Sequence, residues 1–269
     1  MYAAIVIVVS AAVRTPLALW GGFVRERRWG LSTQRLRSWA ADRCALATLV
    51  LSFLGPVVFE PLFNRYAPLQ EQTLAAELRA LARRAGVPVR DVLVQDASRR
   101  TRKANAYVSG LGRTRRVVVA DTLLEEASPA EVRLVVAHEL GHRRKQHVLR
   151  GTVLAMSGAV VATLVVWAVL GTRVAEPHEV PLILLLGLGL SLASLPALTF
   201  VSRRWERVAD RYSLELTGDR AAYESAFRRL ARTNLSDLDP PQLLYLLLFT
   251  HPTPPERLAA MDAFSQDRR

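Results

Sequence analysis

The pattern of apolar and polar positions changes character several times along this 269-residue chain, and each change marks a different solvent. Residues 2–24 are apolar apart from Arg14, long enough to cross a bilayer when that arginine snorkels or faces protein. Residues 44–59 form an uncharged run of 16 with Gly55-Pro56 inside it, which spans, re-enters or lies against other helices. Two longer runs, 20 uncharged residues at 152–171 and 23 at 180–202, predict a pair of transmembrane helices.

Between 61 and 150 the pattern is that of a soluble domain. Leu74, Ala75, Leu78, Leu81, Ala82 and Ala85 form the stripe of an amphipathic helix that stops at Gly86-Val87-Pro88. Segments 89–95 and 116–120 read as strands, and 104–109 as a shorter one before Gly110-Leu111-Gly112. Ser128-Pro129-Ala130-Glu131 combines a capping box with proline at the first helical position, so a helix starts there. With no Gly-Pro pair before Gly151, that helix is expected to run straight toward the first long apolar run, placing His142 roughly 15 Å before Thr152. The expected division is an N-terminal membrane region at 1–60 with a basic loop at 25–43, a cytoplasmic subdomain at 61–150, a transmembrane hairpin at 151–202, and a C-terminal helical part at 203–269.

Composition supports a membrane protein: 51% of residues are hydrophobic and the mean hydropathy is positive. A net charge of +12 raises nucleic acid as a partner, but a basic binding domain has no uncharged spans of membrane length, so that class is set aside. The charge instead flanks the apolar runs. Arg143, Arg144, Lys145, Arg150, Arg203 and Arg204 lie outside the hairpin, whereas its loop carries Arg173 against Glu176 and Glu179, which puts the ends in the cytoplasm. The basic loop 25–43 also reads as cytoplasmic, so either 44–59 does not cross or the N-terminal orientation is unusual. Cys44 is the only cysteine, which excludes an internal disulfide and a cysteine-rich zinc site.

The chemistry centres on His138-Glu139-Leu140-Gly141-His142. Residues four apart share a helix face, so two imidazoles converge on one cation with Glu139 beside them; the bland alternative is two exposed helix histidines. A catalytic zinc usually takes three protein ligands, commonly two histidines and a carboxylate. The hairpin returns the chain to the face it left, which makes Glu206 the candidate third ligand. Asp210, one turn further, either orients a ligand histidine or is an ordinary surface acid beside Arg207 and Arg211. In this scheme Glu139 takes the proton of a zinc-activated water and hands it to the leaving amine. His251, before Pro252, is either structural or a donor to the developing oxyanion.

Several further motifs accompany this set: Arg27-Arg28-Trp29-Gly30-Leu31-Ser32, Glu60-Pro61-Leu62-Phe63-Asn64-Arg65-Tyr66-Ala67-Pro68-Leu69, Arg102-Lys103-Ala104-Asn105-Ala106-Tyr107, Val119-Ala120-Asp121-Thr122-Leu123-Leu124 and His251-Pro252. Together they resemble the integral-membrane zinc proteases of the CAAX prenyl protease 1 type, over about residues 25 to 265. The resemblance implies a mainly α membrane protein: a gluzincin-like catalytic domain with a small β-sheet, its H-E-x-x-H helix continuing into a transmembrane hairpin. It implies one zinc ion held by His138, His142 and Glu206, with Glu139 as base and Asp210 behind a ligand. It also implies substrate-binding Asn105 and Ala106 on an edge strand, a transition-state role for His251 and a supporting role for Arg257. Family members have seven membrane helices around a chamber, whereas this chain offers three or four apolar segments.

The overall layout is also similar to HtpX-like membrane zinc proteases, whose implied role is quality control of misfolded membrane proteins. The expectation is therefore a multi-pass, membrane-embedded zinc endopeptidase with its site at the cytoplasmic surface. Its partners are a peptide or membrane-protein substrate and the lipid bilayer, with no nucleic acid. The rival from another class is an inactive membrane scaffold that retains the protease fold.

Overall fold

The computed structural model describes residues 64–110 and 112–266. The apolar segments expected at 2–24 and 44–59, and the basic loop between them, lie outside the described residues.

A four-stranded mixed sheet is built from β1 (Tyr66–Pro68), β2 (Asp91–Gln95), β3 (Ala106–Ser109) and β4 (Arg116–Ala120), in the order β1-β2-β4-β3. β2 runs parallel to β4, pairing Asp91 with Arg116 and Gln95 with Ala120, while β3 is antiparallel to β4 and forms the edge. The consecutive valines Val117, Val118 and Val119 are buried on both faces, which is what a central strand covered on two sides requires.

Between β1 and β2, helix α1 (Gln72–Arg84) buries Leu74, Ala75, Leu78, Leu81 and Ala82 against the sheet, the stripe expected from its periodicity. Gly86, at φ +68°, supplies the left-handed turn that ends it. Two strands are shorter than their sequences suggest. β2 begins at Asp91, after Arg90 N–H has already bonded to Arg115 C=O at 2.7 Å. β3 begins at Ala106, one residue after Asn105 C=O has accepted from Ala120 N–H at 2.9 Å, and the Asn234 side chain takes the outward-facing peptide groups of Ala104.

After a short α2 (Asp121–Glu126) comes α3 (Pro129–Arg144), which carries His138 and His142. Its capping box is complete: Ser128 Oγ accepts from Glu131 N–H at 3.3 Å, and the Glu131 carboxylate accepts from Ser128 N–H at 2.7 Å. The helix does not run uninterrupted to Gly151. It stops at Arg144, Gln146 adopts a left-handed conformation at φ +57°, and α4 (His147–Leu170) starts afresh in a new direction. A non-glycine residue held there carries strain of order 1 kcal/mol, which surrounding contacts must outweigh.

Two short 3-10 turns lead from α4 to α5 (Val180–Thr217), 38 residues and about 57 Å long at the usual rise. In both helices only 6% of the most apolar stretch is buried, and Val160, Leu164, Leu184, Leu188 and Leu192 stand more than half exposed. So much uncovered apolar surface suits lipid rather than water. The second apolar span and the acidic residues beyond it thus share one continuous helix, which ends at Gly218, φ +68°.

α6 (Arg220–Thr233) buries Tyr223, Ala226 and Phe227 with Leu134 of α3, Leu214 of α5 and Met261 of α8 (Pro254–Gln266). The intervening α7 (Gln242–Leu248) buries no residue and is tied to α5 by two side chains: Thr199 Oγ1 donates to Leu246 C=O at 2.5 Å, and Arg203 to the carbonyls of Tyr245 and Phe249.

Candidate metal centre and active-site cleft

Four elements meet at one point. α3 and α5 approach closely at Gly141, where an added Cβ would lie 3.1 Å from Tyr212 Cδ1 and 3.4 Å from the Cα of Ala209. The missing Cβ lets the two helices approach this closely without displacing Tyr212. One helical turn on either side of this approach stand His138 on α3 and Glu206 on α5.

His138 Nε2 lies 3.1 Å from His142 Nε2; His138 Nε2 is 3.3 Å from Oε2 of Glu206 and His142 Nε2 is 3.3 Å from its Oε1. These three side chains are the one group of this kind among the described residues able to supply three ligand atoms to one cation. Bonds of about 2.0–2.2 Å to a tetrahedral zinc place neighbouring ligand atoms roughly 3.3–3.5 Å apart. The observed separations are close to those of such a donor set, and His138 and Glu206 line a cleft of about 490 Å³ together with Glu139, Ala106, His251 and Phe227, among others.

Behind the donors, Asp210 Oδ1 lies 2.9 Å from His138 Nδ1, within ion-pair distance though not aligned as a hydrogen bond, and its charge favours the proton on that nitrogen, with Nε2 left for a cation. The Asp210 carboxylate is gripped in turn by Arg257, which also reaches Glu206 Oε2 at 3.1 Å. Burial opposes charge on Glu206, but the adjacent His138 and His142 rings outweigh that cost and hold the carboxyl well below its usual range. Asp210 is likewise lowered: burial opposes its charge, and Arg257 and His138 more than compensate. Glu139 moves the other way. Desolvation at the cleft wall raises it above the ordinary carboxylate value, with the nearby histidines pulling back.

His142 has a partner that sequence reasoning did not single out. His147, 4% exposed at the start of α4, places its Nδ1 3.0 Å from His142 Nδ1. Its ring is stacked on Trp205 at 5.1 Å and 8°. A neutral His142 that offers Nε2 to a cation carries its proton on Nδ1, so the His147 nitrogen accepts. The left-handed Gln146 turns His147 back over α3, and Trp205 immediately precedes Glu206. The available signal was a histidine at the head of an apolar run, which by itself reads as an interfacial residue.

The remaining expected positions fall on the cleft. His251, at its exposed rim, sits with Nε2 3.5 Å from Glu206 Oε1. Asn105 and Ala106 lie along the β3 edge and line the wall facing Glu139.

The chain has recognisable relatives among known proteins. Residues 68–265 match the model of peptidase family M48. The metalloprotease YhfN of Bacillus subtilis (strain 168) is 31% identical, over 93% of this chain and 70% of its own length. CAAX prenyl protease 1 of Saccharomyces cerevisiae is 25% identical, over 97% of this chain and 71% of its own. The crystal structure of S. mikatae Ste24p superposes with a TM-score of 0.69 at 25% identity, covering 96% of this chain and 74% of that one. The His-His-Glu cluster, the small sheet beside it, the two bare apolar helices and a family match over most of the length converge: this chain belongs to peptidase family M48 and is a zinc-dependent membrane metalloprotease of the CAAX prenyl protease type.

Proposed function

We propose that His138, His142 and Glu206 hold one zinc ion and that the site cleaves peptide bonds of substrates presented at the membrane surface. The observation that carries the reading is the cluster of two Nε2 atoms 3.1 Å apart, each 3.3 Å from a different oxygen of the Glu206 carboxylate, at the wall of the cleft.

When bound, zinc activates a water molecule and polarises the scissile carbonyl. Glu139 takes the water proton on its carboxylate and delivers it to the departing amine nitrogen; its desolvated position brings it closer to the pH at which it must do both. Asp210 orients His138 through Nδ1, and Arg257 holds Asp210 and Glu206 in place. His251 donates from Nε2 to the oxygen that gains negative charge. Asn105 and Ala106 take up the substrate backbone as an added strand.

The chain crosses the bilayer more than once, with α4 and α5 as one hairpin. Arg143, Arg144, Arg203 and Arg204 at its ends favour a cytoplasmic site at the lipid surface, with 61–150 and 203–269 forming the domain around it. Two substrate classes fit a cleft beside lipid: C-terminal CAAX peptides, after the name of the yeast relative, and segments of misfolded membrane proteins. An intact donor set with Glu139 beside it speaks against the inactive scaffold.

The test uses the detergent-solubilised chain. Metal analysis is expected to find one zinc per chain, and cleavage of casein is expected to stop on chelation and return with zinc. Glu139→Gln keeps the metal and loses turnover. Retained activity in that variant, or zinc loss with it, defeats the assignment, whereas the scaffold reading predicts neither zinc nor cleavage in the parent chain.

A further inference from the structure

The edge of the sheet that faces the cleft is not an open strand. Ala120 N–H donates to Asn105 C=O at 2.9 Å, and the register pairs Ala106 with Val119 and Val108 with Val117. In an antiparallel ladder such bonds alternate, so residues 105 and 107 bond to β4 while the peptide groups of 104, 106 and 108 face away, toward a substrate.

Side chains from opposite directions cover both peptide groups of one of those outward positions and the carbonyl of another. Asn234, at the C-terminal cap of α6, accepts from Ala104 N–H at 3.0 Å and donates to Ala104 C=O at 3.3 Å, so its amide imitates a neighbouring strand. Arg143, the residue after His142, donates to Val108 C=O at 3.3 Å and to Gly110 C=O at 2.7 Å. Between them Ala106 sits at the floor of the cleft, 3% exposed and beside Glu139.

We propose that Asn234 and Arg143 frame the edge strand so that a substrate adds at a single rung, the peptide groups of Ala106. This rests on the strand-addition reading above and specifies its extent. Only the residue opposite Ala106 needs a free N–H. The residues two positions away on either side find the carbonyls of Ala104 and Val108 already taken, by Asn234 and Arg143, so their own N–H has no ladder acceptor and proline is tolerated there. The two hydrogen bonds of the rung are shielded from bulk water, which strengthens each of them. A protease framed in this way accepts polypeptides with only a short extended stretch and selects little by sequence.

An N-methyl scan tests this with the full chain in detergent and a short synthetic peptide spanning its principal cleavage site in casein. In the parent enzyme one amide is expected to be sensitive, its methylation raising KM about tenfold, the scale of one hydrogen bond. The amides two residues to either side are expected to tolerate both methylation and proline. A second sensitive amide two residues from the first means that the ladder continues, and overturns the proposal. A peptide cleaved with no sensitive amide removes strand addition itself. Arg143→Ala and Asn234→Ala, on different helices, are each expected to create a second sensitive amide two residues from the first, on opposite sides. An unchanged methylation profile in an active, folded variant shows that the frame has no effect.

Discussion

The guanidinium of Arg257 grips both oxygens of Asp210, with Nε 2.7 Å from Oδ2 and Nη2 2.7 Å from Oδ1, across a sequence separation of 47. The same Nη2 reaches Glu206, and the guanidinium lies 4.2 Å above the Phe227 ring. One cation therefore compensates two buried carboxylates that stand one helical turn apart. Removing it in Arg257→Ala takes away the one arginine that both share and is expected to destabilise the fold by about 3 kcal/mol. Arg257→Lys keeps the charge but not the fork, and is expected to lose less. Thermal unfolding at matched zinc concentration reads this, and an unchanged Tm in the alanine variant would remove Arg257 from its supporting role.

His147 acts on the metal through His142. In His147→Phe the stack on Trp205 survives while the acceptor at His142 Nδ1 is lost. Zinc affinity is expected to fall by about 10- to 100-fold, the usual cost of losing a ligand's hydrogen-bond partner, while Tm of the zinc-free chain changes little. A competitive chelator titration gives the answer. Equal affinities in the parent and the variant would leave His147 as packing only.

Glu139 must be ionised to take a proton, and burial raises its pKa above the ordinary 4.5. Activity is therefore present above that raised value and lost as the pH falls through it. The acid limb of kcat/KM against pH is expected above 4.5 with zinc kept saturating. A limb at or below the ordinary carboxylate value would mean that Glu139 is solvated in the working enzyme.

Gly141 sets the distance between α3 and α5. A branched side chain in Gly141→Val meets both Tyr212 and the Ala209 backbone, so the helices must part and the Glu206 carboxylate must leave the two histidines. Zinc affinity and kcat/KM are expected to fall together, by more than tenfold. Gly141→Ala asks only a few tenths of an ångström, mostly from the Tyr212 side chain, and is expected to cost much less. If the valine variant bound zinc as tightly as the parent, the helix contact would not position the ligands.

Much of the fold is legible locally. The stripe on α1, the complete capping box of Ser128 and Glu131, the two uncovered apolar helices and the i, i+4 histidines are all written within one or two helical turns of sequence. Sequence also indicated where a third ligand would arise, because a hairpin must return to its starting face. It missed the break at Gln146, since nothing in Lys145-Gln146-His147 disfavours helix. The left-handed turn is sustained by what His147 meets afterwards: His142 on one side and Trp205 on the other.

Local pattern alone thus settles that a pair of histidines and an acid sit on one helix face beside apolar spans, because helical periodicity and bilayer thickness act on neighbouring residues. The enclosure of that pair depends on contacts that no local pattern encodes. Arg257 and Asp210 are 47 residues apart, and Asn234 and Ala104 are 130 apart. Which arginine among 34 pairs with which acid, and which asparagine imitates a strand, is decided only when α6 and α8 pack over the sheet and α3. Burial then makes those few partners obligatory, since a buried charge or peptide group without one costs several kcal/mol.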